Sequence, residues 1–127
     1  MIEQPVPKGQ DGLLKGISHP IPICADESCH VRSDLSRLEG CYEMINIKLD
    51  KSGGLTEALA LEQEARAKGF SIMVGCMLGT SLAMKAALPI ATRAEIVDLD
   101  GPVLLGTDIP DGLIYQSGTL DLNNHQK

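Results

Sequence analysis

The chain has 127 residues, 43% of them apolar and only 2% aromatic, with a formal net charge of −6. That length supports one modest domain with an aliphatic core. The scattered basic residues argue against a nucleic-acid surface or an anionic-lipid patch, and no apolar run reaches the roughly 18–20 residues of a membrane span.

In chain order, residues 2–6 read as a short extended run closed by Pro5 and Pro7, and residues 11–16 as a short helix. Residues 21–25 read as a second strand, favoured by β-branched residues and a preceding proline. Residues 31–38 read as a short helix stopped at Gly40. Residues 44–49 form a third strand that alternates: Ile45, Ile47 and Leu49 fall on one face, Asn46 and Lys48 on the other. Residues 55–68 make the clearest helix, with Leu55, Ala58, Leu59, Glu62 and Ala65 at helical spacing. Glu62 with Arg66 and Glu64 with Lys68 are favourable pairs, each worth about 0.2–0.5 kcal/mol. Gly69 stops that helix. A fourth strand over 70–77, a helix over 81–91 and a fifth strand over 95–99 follow. From Pro102 the beat breaks into Gly, Pro and Asp turns with two short apolar pieces, and residues 123–127 are expected to be frayed.

Strands alternating with helices through short connections call for parallel strands with helices packed outside. An open doubly wound sheet and part of a (β/α)8 barrel both fit, and the lack of a GxGxxG after the first strand weakens a dinucleotide fold. The division expected is a partial barrel over residues 1–101 and a tail over 102–127. Cys24 and Cys76 lie in apolar runs, and Cys29 and Cys41 near helix ends. With no CxxC, and no second pair at ligand spacing to join Cys29-His30, all four are expected to be free thiols rather than zinc ligands. The opening residues lack a basic start and apolar stretch, so the expected location is cytoplasmic.

In an α/β barrel, chemistry sits at the C-terminal ends of the strands. Those ends carry Glu3, Asp26 with Glu27, Lys48, and Asp98 with Asp100. Asp98 and Asp100 are two apart and share a strand face, as do Asn46 with Lys48 and Cys24 with Asp26. Carboxylates from several strands suit Mg²⁺, and a lysine beside such an ion can have its pKa lowered toward that of a base. Each residue also has a plainer reading: Asp26-Glu27-Ser28 reads equally as the start of the following helix, and Lys48 as a surface lysine paired with Asp50.

Five motifs in order go further: Ile2-Glu3-Gln4-Pro5, Ala25-Asp26-Glu27-Ser28, Ile47-Lys48-Leu49 followed by Gly53-Gly54, Gly75-Cys76-Met77-Leu78, and Asp98-Leu99-Asp100-Gly101-Pro102. Over nearly the whole chain they resemble the muconate-lactonizing subgroup of the enolase superfamily, and within it the dipeptide epimerases that act on L-Ala-D/L-Glu. The resemblance implies a partial (β/α)8 TIM barrel, about five βα units equivalent to strands four to eight, with an irregular C-terminal tail. It implies that Glu3 and Asp26 are Mg²⁺ ligands, that Lys48 is an acid/base, that Asp98 and Asp100 hold the α-ammonium of a small dipeptide, and that Met77 lines the pocket. The implied reaction is a 1,1-proton transfer through an enediolate, with a second lysine on the opposite face, in recycling of cell-wall peptide.

The family's capping domain and first three barrel strands have no counterpart here. Those strands would carry the Lys-x-Lys motif and the first metal-binding aspartate. The expected partners are therefore that missing N-terminal part or further copies of the chain. Gly79 departs from the pattern, since many relatives carry a polar or acidic residue there. Two alternatives stand beside the epimerase reading. One is another superfamily reaction, such as o-succinylbenzoate synthesis or cycloisomerisation, which the paired aspartates disfavour because those substrates carry no ammonium. The other is a non-catalytic half-barrel module.

Overall fold

A computed structural model describes residues 1–122 of the chain; the fraying expected of 123–127 lies outside the described residues. Five strands, β1 (Ile2–Glu3), β2 (Ile23–Ala25), β3 (Met44–Ile47), β4 (Ser71–Val74) and β5 (Ile96–Val97), form one sheet in sequential order. Every neighbouring pair is parallel. This order decides between the two architectures that the alternation of strands and helices left open, in favour of the barrel that the motif resemblance implies. A doubly wound sheet reverses its strand order and so puts helices on both faces. An unbroken order of right-handed crossovers puts every helix on one side, and the sheet curls as part of a barrel.

Alternation along the strands then sorts the core. Outward-facing Ala25, Ile45, Ile47, Ile72 and Val74 pack in one large cluster with the helix residues. The helices are α1 (Leu35–Leu38), α2 (Leu49–Ser52), α3 (Leu55–Ala67) and α4 (Ser81–Ala91). Inward-facing Cys24, Met44 and Met73, with Ile96 against them, make a smaller second cluster that floors the barrel interior. The four cysteines are free. Burial pushes the Cys24 and Cys29 thiols up to about 12, so both behave as small apolar groups.

The observed elements differ from those read along the sequence mainly at their C-terminal ends. The third strand stops at Ile47, and Leu49 begins the single helical turn α2 instead of extending the strand. On α3 the buried line is Ala58, Leu61, Glu62 and Ala65, while Leu59 is 37% exposed. Glu62 tolerates burial because Arg66 (3.3 Å) and Arg93 (2.5 Å) both pair with it. Lys68 reaches across to Glu39 at 2.5 Å rather than back to Glu64. The helix read over 31–38 divides into a 3-10 turn, Arg32–Asp34, and α1. The two apolar pieces of the tail pair as an antiparallel hairpin, β6 (Ile114–Gln116) and β7 (Thr119–Asp121). Ser117 and Gly118 turn it with φ of 50° and 75°, the left-handed pair that suits a two-residue hairpin loop. The Tyr115 hydroxyl donates to the Leu99 carbonyl at 2.6 Å and so anchors the hairpin beside the end of β5.

At the opposite end of the strands His19 bridges two elements. Its Nδ1 lies 2.6 Å from Glu43 Oε1 and its Nε2 2.9 Å from the Leu14 carbonyl. Both partners accept, so the ring satisfies both only as an imidazolium. The hydrogen bond to Glu43 accordingly raises its pKa above the ordinary 6.5, against the opposing pull of burial. A group raised on folding stabilises fully below its unfolded pKa and loses that contribution as pH climbs through the folded value. Melting temperatures measured between pH 5 and 9 are therefore expected to fall on the alkaline side. His19→Gln should flatten that fall; an unchanged profile would remove His19 from the pH response.

Candidate active site

The C-terminal ends of the strands converge on a cavity of about 350 Å³ whose lining includes Glu3, Asp26, Glu27, Asn46, Lys48 and Asp98. Each side chain gets there by the same rule. Apart from Glu27, which lies in the loop two residues past β2, it sits on the inward-facing parity of its strand or one step past the strand's last residue, where the backbone turns away and leaves the side chain at the rim.

Asp26 is the centre of the arrangement. It is 8% exposed, and each carboxylate oxygen meets a lysine: Oδ2 lies 2.7 Å from Lys48 Nζ and Oδ1 2.7 Å from Lys51 Nζ. Burial alone would raise the Asp26 pKa, but the two lysines outweigh it and hold the carboxyl below the usual range. Lys48 shows the mirror image. Burial acts downward, and the Asp26 hydrogen bond and charge, helped by Glu3 and Glu27, override it and hold the ammonium above the ordinary lysine value. The lowering expected from the sequence is that of a lysine beside a bound ion; here the residue expected to hold the ion is itself the lysine's partner.

Two residues hold the acids in place. Gln4 takes a left-handed φ of 39°, rare for a residue with a side chain, and ends β1 immediately after Glu3. Its Oε1 accepts the backbone N–H of Asp26 (2.8 Å) and of Ser28 (3.2 Å), and its Nε2 donates to the Val6 carbonyl at 2.8 Å. Behind it, buried Asp11 accepts from Ser28, Tyr42 and Arg37. Asn46 is 1% exposed and donates from Nδ2 to Glu3 Oε1 at 2.7 Å. A carboxylate only accepts, so this contact fixes which way the amide points, and it leaves Oδ1 buried without a partner among the described residues. The amide fits only because residue 75 is glycine: a Cβ there would lie 2.6 Å from Asn46 Oδ1.

Of the residues singled out from the sequence, Glu3, Asp26, Lys48 and Asp98 share the cavity. Asp100 does not; with Asp98 it lines an adjoining cavity of about 640 Å³ between the end of β5 and the hairpin. The Asp98 carboxyl stands above its ordinary value through burial and then through the charge of Asp100. Met77 is 51% exposed and outside the lining, and Cys76 takes its place there. The strand ends at Val74, so strand alternation does not carry on to position 77. Sequence reasoning missed Lys51 and Gln4. Lys51 had a local signal, a second lysine one helical turn after Lys48. Gln4 had none, since the loop N–H groups that tie it to the site are 22 and 24 residues away.

Among the described residues no three His, Cys, Asp or Glu side chains cluster as a metal site. Glu3 and Asp26 together present hard carboxylate oxygens to one cavity, a donor set that suits a Mg²⁺ ion using one or two carboxylates with waters and substrate oxygens.

Comparison with known proteins agrees with this geometry. The chain is 58% identical over 122 residues to the L-Ala-D/L-Glu epimerase of Escherichia coli (strain K12), covering 96% of this chain and 38% of that protein. It is 51% identical over 120 residues to the N-acetyl-D-glutamate racemase of a Pseudoalteromonas species, covering 94% of this chain and 38% of that one. A crystal structure of an enolase family member from Agrobacterium tumefaciens, with homology to dipeptide epimerases, holds sodium and L-Ala-L-Glu. It superimposes with a TM-score of 0.89 at 56% identity, over 94% of this chain and 36% of that one. Dipeptide epimerases from Cytophaga hutchinsonii and Methylococcus capsulatus, 32% and 34% identical, were solved with Mg and a dipeptide. The chain thus spans little more than a third of the length of these relatives. The family model for enolase C-terminal domain-like proteins matches residues 1–125, and the chain belongs to that family.

Proposed function

We propose that this chain carries one half of a dipeptide-epimerase site, in which Lys48 moves the α-proton of an N-acylated amino acid on one face. The observation that carries this reading is the 2.7 Å contact of Lys48 with Asp26 inside a cavity that Glu3 and Asp98 also line. Glu3 and Asp26 are the residues that would hold Mg²⁺. The bound ion supplies positive charge for the negative charge that develops on the substrate carboxylate as its α-proton leaves. Lys48 is protonated while it rests on Asp26. Burial is the largest influence on its pKa and acts downward, so loss of the Asp26 contact moves the amine toward the range a base requires.

Asp98 and Asp100 are the partners for a substrate ammonium. Two neighbouring carboxylates repel, a cation between them relieves that repulsion, and a charge-assisted contact of this kind is worth about 1.5–3 kcal/mol. A second reading has its own support: the Pseudoalteromonas relative is named for N-acetyl-D-glutamate, an N-acyl glutamate with no ammonium. The two separate cleanly. Asp98→Asn with Asp100→Asn is expected to lower kcat/KM for L-Ala-D-Glu by about tenfold to a hundredfold while leaving N-acetyl-D-glutamate unaffected. Equal losses on both substrates would remove the ammonium role.

Among the described residues β1 and β5 each have one neighbouring strand, and Ile2 and Val97 on them are 46% and 48% exposed. Open parallel edges of this kind are where the rest of a barrel, or a second copy, would pair. The direct test is proton exchange. The chain is incubated with L-Ala-L-Glu and Mg²⁺ in D₂O, with and without the N-terminal part of a relative, and the Glu α-proton is followed by NMR. Loss of that signal in the complemented sample is the expected result. Its persistence when both parts are folded together would count for a half-barrel that binds without turnover. The role in cell-wall peptide recycling is proposed from the family resemblance.

A further inference from the structure

Asp26 meets its two lysines in different ways. The Lys51 side chain is 7% exposed, and its ammonium reaches four oxygens: Asp26 Oδ1 at 2.7 Å and the carbonyls of Asp26, Asn46 and Cys29 at 2.6, 2.8 and 3.0 Å. An ammonium has three N–H donors, so all are committed. Three of the four acceptors are backbone atoms, from β3 and from the loop after β2. Lys51 cannot leave without stranding buried carbonyls. Lys48 is 15% exposed, and among the described residues the one hydrogen bond its ammonium makes is to Asp26 Oδ2 at 2.7 Å. Gln4 meanwhile holds the Asp26 backbone N–H at 2.8 Å. The carboxylate therefore has one oxygen that is fixed and one that can change partners.

We propose that Lys51 is a positioning residue, a fixed internal cation that aims Asp26 so that Oδ2 alone is exchangeable, with Lys48 as its occupant until an external cation takes that oxygen. The proposal rests on the reading of Asp26 as a cation-holding carboxylate. It makes a prediction that bare charge does not. By charge alone, removing either lysine makes the cavity more negative and tightens cation binding. By this geometry the two lysines act with opposite signs. Lys48→Met removes a competitor and tightens binding; Lys51→Met frees the carboxylate to rotate and weakens it.

The test is Mn²⁺ binding to the full chain, followed by the EPR signal of free Mn²⁺ at fixed ionic strength, for the wild-type protein, Lys48→Met and Lys51→Met, with far-UV circular dichroism confirming the fold of each. A several-fold tightening for Lys48→Met and a weakening of about tenfold for Lys51→Met are expected, the latter being the loss of one charge-assisted contact. Tightening in both variants would overturn the proposal. Should Lys51→Met fail to fold, lysine ammonium ¹H–¹⁵N NMR of the metal-free wild-type chain decides instead. Lys51 is expected to give a slowly exchanging signal that Lys48→Met leaves in place; exchange as fast as that of surface lysines would overturn the cage. A protected Lys51 signal with no Mn²⁺ uptake by the wild-type chain would sink the cation-site reading while leaving Lys51 as the holder of Asp26.

Discussion

Lys48→Met is expected to lower kcat by about a thousandfold in the complemented enzyme and to abolish α-proton exchange, with KM changed little. Lys48 is the only cationic side chain among the residues lining the cavity. Methionine keeps the length and apolar character of the stem and removes only the amine. The fold is expected to survive, because Asp26 keeps its Lys51 contact at 2.7 Å and its backbone bond to Gln4 at 2.8 Å. An effect on kcat at constant KM is the signature of a group that acts only in the transition state. Lys48→Arg should fare no better, since a guanidinium keeps the charge but cannot give up its proton near neutral pH. Exchange within tenfold of wild type in Lys48→Met, with the protein folded, would take Lys48 out of the chemistry.

What the sequence made legible was parity. Alternation on β3 separates Ile45 and Ile47, which face the helices, from Asn46 and Lys48, which face the barrel interior, and the same rule carries Asp26 and Asp98 to the rim. Periodicity could not choose between an open sheet and a barrel, because that choice lies in strand order, a property of distant pairs; the five motifs chose the barrel through the resemblance they carry. Periodicity also overran the strands. Residues 2–6 read as extended, yet β1 is Ile2–Glu3, because Gln4 leaves the β region to send its side chain across to the Asp26 loop. Gln4, Asp11, Ser28, Tyr42 and Arg37 are joined by hydrogen bonds over separations of 9 to 38 residues, and no local pattern announces such partners. Asp100 and Met77 lie outside the first cavity, three residues past the ends of β5 and β4, where a period of two no longer fixes the direction of a side chain.

Gly75 gives the sharpest test of how the acids are held. A Cβ there would fall 2.6 Å from Asn46 Oδ1 and 2.8 Å from Nδ2, closer than real Cβ atoms approach, and 3.1 Å from Cγ. Asn46 has nowhere to retreat, being 1% exposed and tied to Glu3 at 2.7 Å. Gly75→Ala is therefore expected to push the amide off Glu3. It should destabilise the protein by about 2–4 kcal/mol, through overpacking and a buried amide left unpaired, as read from thermal and urea melts. With Glu3 no longer aimed, kcat/KM should fall by about a hundredfold. Packing and positioning then separate in a double variant. Asn46→Ala added to Gly75→Ala removes the clash, so stability should recover, but Glu3 still lacks its donor, so activity should stay low. Recovery of activity together with stability would show that Asn46 only fills space and that Glu3 needs no partner to find its place.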